Sequence, residues 1–133
     1  MSNFYCHRMT AFILLAFVAP VWSAEPTKDS LQVVKQNITA GKAVLVDVRE
    51  LEEWNDGHLA AAALLPLSRI ERGVTAEQLT KLAPGEKIVY LHCAYGSRCL
   101  DAAAYLKKTG RDVRPLKQGY DELLQAGFRP ANK

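Results

Sequence analysis

The stretch Ile88-Val89-Tyr90-Leu91-His92-Cys93-Ala94-Tyr95-Gly96-Ser97-Arg98 decides how this chain folds. Its first four residues are a short apolar run that reads as a buried strand, and from Arg98 onward Leu100, Ala103, Ala104 and Leu106 give a helix one apolar face. Cys93 therefore falls at a strand-to-helix turn. There the free backbone N–H groups and the helix dipole favour a thiolate, or an anion bound beside it. A free cysteine alone most often packs as a small hydrophobe. Its place ahead of Gly96, with an arginine after four intervening residues, instead points to an anion-binding nucleophile.

The pattern continues on both sides. Asp29 or Ser30 caps a helix carrying Leu31, Val34 and Ile38, which ends near Gly41. Ala43 to Val48 reads as a strand buried on both faces, with Asp47 near its end. Glu50 to Trp54 makes a short helical turn stopped at Asn55-Asp56-Gly57, and Pro66 limits Ala63-Leu64-Leu65 to a short strand. Thr75 caps a helix from Ala76 to Leu82. Beyond the helix that runs from Arg98 to Thr109, Gly110 is the natural C-cap, and Lys107 and Lys108 suit the negative end of the dipole. Val113 to Leu116 is a short strand despite Pro115, and Gly119-Tyr120 opens a last helix closed by Gly127. Strands alternating with helices define an α/β fold, a mostly parallel sheet covered on both faces. Ligands of such sheets bind beyond the carboxyl ends of the strands, where Cys93 falls.

The ends and the composition set further bounds. Arg8, an apolar run from Ala11 to Trp22 broken only by Pro20, and the small residues Ser23 and Ala24 follow the grammar of a secretory signal peptide. The run is short of the roughly 20 residues that span a bilayer, so export without a stable membrane span is expected. The expected division is a signal peptide over 1–23 and one domain over 24–133, located in a periplasm or secreted. Loss of Arg8 with the leader lowers the formal charge from +3 to +2, too little to imply a nucleic-acid partner. Cys6 leaves as well, and Cys93 and Cys99 alone make no disulfide framework.

Four segments in order resemble the single-domain rhodanese family, of a periplasmic type, and the resemblance covers nearly all of 24–133. Val46-Asp47-Val48-Arg49 with Glu53-Trp54 and Gly57-His58-Leu59 is similar to the family's early motif, and Leu65-Pro66-Leu67 continues it. Cys93 to Arg98 is similar to its active loop, and Leu116-Lys117-Gln118-Gly119-Tyr120 to its last motif. Two positions depart from the pattern: Ala61, where glycine is usual, and Leu123, where an aromatic residue is usual. Ala61 bears on backbone freedom if its turn needs a positive φ.

The resemblance implies a rhodanese-like α/β domain and a sulfurtransferase without a cofactor. Cys93 would attack the outer sulfur of thiosulfate or a similar small donor, release sulfite and hold the sulfur as a persulfide. Cyanide, a small thiol or a protein thiol would then remove it. The backbone of Ala94, Tyr95, Gly96, Ser97 and Cys99 would donate to the charged sulfur. Arg98 would bind the sulfonate end through paired hydrogen bonds, Gly96 would let the loop curl, and Tyr95 would line the mouth.

Three rivals stand beside this reading. Phosphate- or arsenate-processing enzymes use a similar cysteine loop with five residues before the arginine; the four here make a smaller cradle, matched to a single sulfur atom. A thiol-disulfide function lacks the Cys-x-x-Cys spacing. Cys99 begins the helix just past the loop, which leaves it either a passive thiol or one that traps Cys93 as a disulfide after oxidation. A non-catalytic binding module of the same fold would be expected to have lost Cys93 or Arg98.

Other polar residues have plainer readings. His92 is expected at a strand end with a satisfied hydrogen bond, Asp47 and Arg49 in the pocket or in a buried structural pair, and His58 fixing the turn after Gly57. No metal site is expected, because the three histidines do not approach ligand spacing with the cysteines.

Overall fold

Ser30 begins the ordered succession by accepting a hydrogen bond from the Val33 amide, which satisfies one of the free donors of α1 (Leu31–Thr39). The computed structural model describes residues 23–132. The leader reading falls almost wholly on residues 1–22, outside the described residues. After α1 come β1 (Ala43–Asp47), α2 (Leu51–Asp56), β2 (Ala62–Leu64), α3 (Leu67–Glu71), α4 (Ala76–Leu82), β3 (Ile88–His92) and α5 (Ser97–Leu106). A 3₁₀ turn (Lys107–Thr109), β4 (Val113–Pro115) and α6 (Tyr120–Gln125) complete the order.

The four strands form one parallel sheet in the order β2-β1-β3-β4. β1 and β3 are central and read as near-continuous apolar runs because both of their faces are covered. Side chains alternate across the sheet. Val46, Val89 and Leu91 point to the layer holding Ile70 of α3, Leu79 of α4 and Ala102, Ala103 and Leu106 of α5. Ala43, Leu45 and Tyr90 point the other way, to Val34 of α1 and Leu123 of α6. A fully covered Leu, Ile or Tyr contributes about 1.5–3 kcal/mol relative to exposure, so these two layers are the main source of stability. Pro115 is tolerated because β4 is an edge strand that pairs only with β3.

The differences from the sequence reading are local. α2 continues through Asn55 and Asp56 and stops at Gly57. α3 has no counterpart in the pattern: Pro66, read as a strand limit, stands at its N-cap. α5 begins at Ser97 and passes into the 3₁₀ turn before Gly110, whose φ of 78° is the left-handed cap expected of it. Ala61 carries no strain, since no described residue other than glycine has positive φ. Leu123 is fully buried in the place of the usual aromatic residue. Among the described residues no helix is long and apolar enough to cross a membrane.

Candidate active site

The parallel register sets Asp47 beside His92, so β1 and β3 end together and the chain leaves β3 directly into the Cys93 turn. Cys93 is fully buried. Gly96 adopts φ 91° and folds the chain back, so that its own amide donates to Cys93 Sγ at 3.0 Å. A side chain there would be strained, and its Cβ would lie 2.5 Å from the Lys117 carbonyl oxygen. The thiol is pulled from its ordinary value down to about 5. The first cause is a hydrogen bond from the Cys99 thiol; burial opposes it, and the amides of Cys99, Tyr95 and Gly96 reinforce it. At neutral pH the sulfur is a thiolate, the form that acts as a nucleophile.

Cys99 lies in the first turn of α5 with its sulfur 3.6 Å from that of Cys93. It is fully buried, and the carbonyls of Gly96, at 3.0 Å, and Leu116, at 3.3 Å, are alternative acceptors for its single S–H. Its own acidity is suppressed by donating to Cys93, by burial and by the neighbouring negative charge. The two shifts run in opposite directions, so Cys93 is the sulfur that loses its proton first. Two thiolates in contact inside the core would repel each other.

The segment Leu116 to Tyr120 is the wall against which this loop is seated. The Tyr120 amide donates to the Cys93 carbonyl at 2.9 Å, and the Gly119 backbone passes so close to Ala94 that a Cβ would overlap the Ala94 carbonyl oxygen. Gly119 has an ordinary φ of −83°, so close approach is what requires glycine here. Of the remaining loop residues, Ala94 is half-buried, Ser97 is exposed as the first residue of α5, and Tyr95 is 88% exposed at the tip.

Arg98 is committed to a neighbour. Its two terminal nitrogens donate to the two carboxylate oxygens of Glu53 on α2, at 2.7 and 2.6 Å. This is the paired geometry that a guanidinium favours, with a protein carboxylate where the sequence reading placed a ligand's sulfonate. The Glu53 carboxyl is held down at about 2, first by Arg98, and its Oε2 also accepts from the Glu50 amide at the start of α2. Glu53 was legible only as part of a motif. Nothing in its spacing from Arg98 announces the contact.

On the opposite face of the sheet Asp47 and Arg49 form a buried ion pair at 2.8 Å. Arg49 also donates to the Gly57 carbonyl at 2.8 Å and lies over the Tyr120 ring at 4.2 Å. These contacts are those of the buried structural pair. His92 ends β3 fully buried, as expected, with its Nδ1 3.4 Å from the Cys93 carbonyl; among the described residues its Nε2 has no hydrogen-bond partner, with Asp47 Oδ2 3.5 Å away. Desolvation lowers its pKa and keeps the ring neutral. His58 turns its Nδ1 to the Trp54 carbonyl at 2.9 Å and stacks on the Trp54 ring, fixing the turn after α2. Among the described residues no three His, Cys, Asp or Glu side chains converge as metal ligands.

The fold is thus a parallel α/β sheet with a buried cysteine held in a short loop at the carboxyl ends of its strands. Residues 30–126 match the rhodanese-like domain, and the chain belongs to that family. The chain is 35% identical over 90 residues to the HTH-type transcriptional regulator Rv0324 of Mycobacterium tuberculosis, a match covering 67% of this chain and 38% of that protein. It is 41% identical over 69 residues to the probable adenylyltransferase/sulfurtransferase MoeZ of the same organism, covering 52% of this chain and 17% of that protein. Both relatives are thus much longer than the matched part. The structure is similar to the human single-domain sulfurtransferase TSTD1, with a TM-score of 0.61 and 27% identity over 77% of this chain and 96% of that one.

Proposed function

We propose that this protein is a sulfurtransferase that carries sulfane sulfur on Cys93. The observation that carries the reading is the Cys93 thiolate itself, fully buried, with the Gly96 amide 3.0 Å from its sulfur and its thiol drawn down to about 5. Such a sulfur is a nucleophile at neutral pH without a general base, and the neutral, buried His92 is not needed as one. The family and the relatives that bear the name sulfurtransferase support the same reading.

In the first step the Cys93 thiolate attacks the outer sulfur of thiosulfate. The sulfur–sulfur bond of the donor breaks, sulfite leaves with the electron pair, and Cys93 holds a persulfide anion. The Gly96 amide and Cys99 hold the attacking sulfur in place through the step, and the new negative charge comes to rest one atom farther out. In the second step cyanide or a thiol attacks the outer sulfur and the Cys93 thiolate departs. Arg98 holds the loop through Glu53 and places a positive charge within electrostatic reach of Cys93. A sulfonate reaches its fork only by displacing Glu53. The exposed Tyr95 borders the approach. Export by the leader-like stretch belongs to the same proposal.

The test is thiocyanate formation from thiosulfate and cyanide. Wild-type protein is expected to turn over and Cys93→Ala to be inactive. Equal activity in the two proteins would remove the reading. The short loop also predicts negligible hydrolysis of a generic aryl phosphate, and Cys93-dependent hydrolysis would favour phosphate chemistry instead.

A further inference from the structure

The pairing of Cys93 with Cys99 goes further than a persulfide carrier requires. We propose that Cys99 is a resolving thiol: in the absence of an acceptor it attacks the inner sulfur of the Cys93 persulfide, forms a Cys93–Cys99 disulfide and expels the carried sulfur as hydrosulfide. The proposal rests on the sulfurtransferase reading above and adds a second fate for the same intermediate.

The geometry supplies the reacting pair. The two sulfurs are 3.6 Å apart, both are fully buried, and each is the other's side-chain hydrogen-bond partner. Closing to the bond length of about 2.05 Å requires a shift of about 1.5 Å, within the reach of a side-chain adjustment at the start of α5. The sulfur of Cys93 is the atom in contact, so attack falls on the inner sulfur and not on the transferred one. Among the described residues the other acceptors within reach of its S–H are the Gly96 and Leu116 carbonyls, which also lie inside the site.

The step balances. Cys93–S–S⁻ and Cys99–SH become Cys93–S–S–Cys99 and HS⁻; the Cys99 proton moves to the outer sulfur, which leaves with the electron pair of the broken bond. The inner sulfur is the electrophile, and the persulfide already carries the oxidising equivalent taken from the donor, so no further oxidant enters. Charging also lifts part of what silences Cys99, its burial remaining. While Cys93 is a thiolate, its charge suppresses ionisation of its neighbour; once it is a persulfide, that charge sits one atom farther out on a sulfur that leaves readily as hydrosulfide. An external thiol then reduces the disulfide and restores the pair. With a good acceptor present the sulfur is transferred, and without one it is discarded as hydrosulfide.

The experiment compares fully reduced wild-type protein with Cys99→Ser and Cys99→Ala after thiosulfate without acceptor, by intact mass and trapped hydrosulfide. Wild type is expected to lose two hydrogen atoms, to show a Cys93–Cys99 cross-link on peptide mapping and to release one hydrosulfide per chain. The variants are expected to retain one added sulfur and to release none. Wild type that keeps the added sulfur as the variants do would overturn the proposal. The wild-type readout stands even where a variant folds poorly. If thiosulfate charges none of the proteins, the sulfurtransferase reading fails, and charging with inorganic polysulfide decides the resolving step separately: hydrosulfide loss confined to wild type supports it, and equal retention overturns it.

Discussion

A thiol drawn down to about 5 inside a hydrophobic layer is a property of one residue with measurable consequences. The rate of sulfur loading by thiosulfate should rise through pH 5 with the Cys93 thiolate and stay level toward neutral pH; a midpoint near the ordinary thiol value would contradict the cradle. Because the Cys99 hydrogen bond is the largest cause, Cys99→Ala should move that midpoint upward, leaving only the amide donors. The same shift makes a stability statement. A group whose folded pKa lies below its ordinary 9.0 contributes fully above pH 9 and loses that contribution as pH falls toward 5. The stability difference between wild type and Cys93→Ala, measured by urea denaturation under reducing conditions, should therefore widen from pH 5 to pH 9. A constant difference would mean that only packing is lost. At this scale the sequence was informative about Cys93, since a strand, a cysteine and a glycine in order suffice to place a sulfur among amides. It was uninformative about Arg98, because an arginine's partner depends on which helix lies across from it.

Between elements, the loop is held from two directions, by α2 and by the turn before α6. Gly119→Ala puts a methyl group into the Ala94 carbonyl, a backbone atom that cannot yield without moving the Cys93 loop. Overpacking of this kind costs about 1–3 kcal/mol, and thiocyanate formation should fall with it; unchanged activity would show that the loop tolerates displacement. Glu53→Gln removes the α2 anchor. The pair is about one-third exposed on each side, so the expected loss is modest, about 1 kcal/mol at neutral pH. Glu53 is depressed from 4.5 to about 2, so its contribution is complete above pH 4.5 and fades as pH falls toward 2. Wild type and variant should converge in urea denaturation over that interval. Every strand was legible in the sequence, as were the helices with a cap and an apolar period. α3 was not, since Leu67 to Glu71 is too short to show a period and Pro66 signals the end of a strand as well as the start of a helix. The contact between Leu116–Tyr120 and the Cys93 loop was hidden for a different reason. The motif shows that glycine is present at 119, and only the packed molecule shows what would collide there.

For the whole molecule, the site depends on how the carboxyl ends of the sheet are tied together, and the Asp47–Arg49 pair does this from the face opposite the thiol. The chain around it is bonded to three neighbours: the Leu65 amide donates to the Asp47 carbonyl, the Leu67 amide to the Val48 carbonyl, and the Val48 amide to the His92 carbonyl. Arg49 then reaches the Gly57 carbonyl at the end of α2 and covers Tyr120, whose amide holds the Cys93 carbonyl. A side chain on β1 is thereby linked to both anchors of the active loop. Asp47 and Arg49 were visible in the sequence as polar residues on either side of Val48 at the end of an apolar strand, but the cover over Arg49 follows from Tyr120 of α6 lying against it. Removing one partner of a buried pair leaves a charge without compensation, so Asp47→Asn should cost about 3–5 kcal/mol in urea denaturation. Replacing both, as Asp47→Leu with Arg49→Met, removes the stranded charge and should be less destabilising than the single change, because a buried pair as a whole often stabilises no more than apolar residues of its size. Activity should separate from stability here. The double variant lacks the guanidinium that seats Tyr120 and bridges to Gly57, so it should fold yet form thiocyanate more slowly than wild type. A double variant whose stability loss equals the sum of the single losses would show that the two residues act independently, and one with wild-type activity would show that the loop does not need this support.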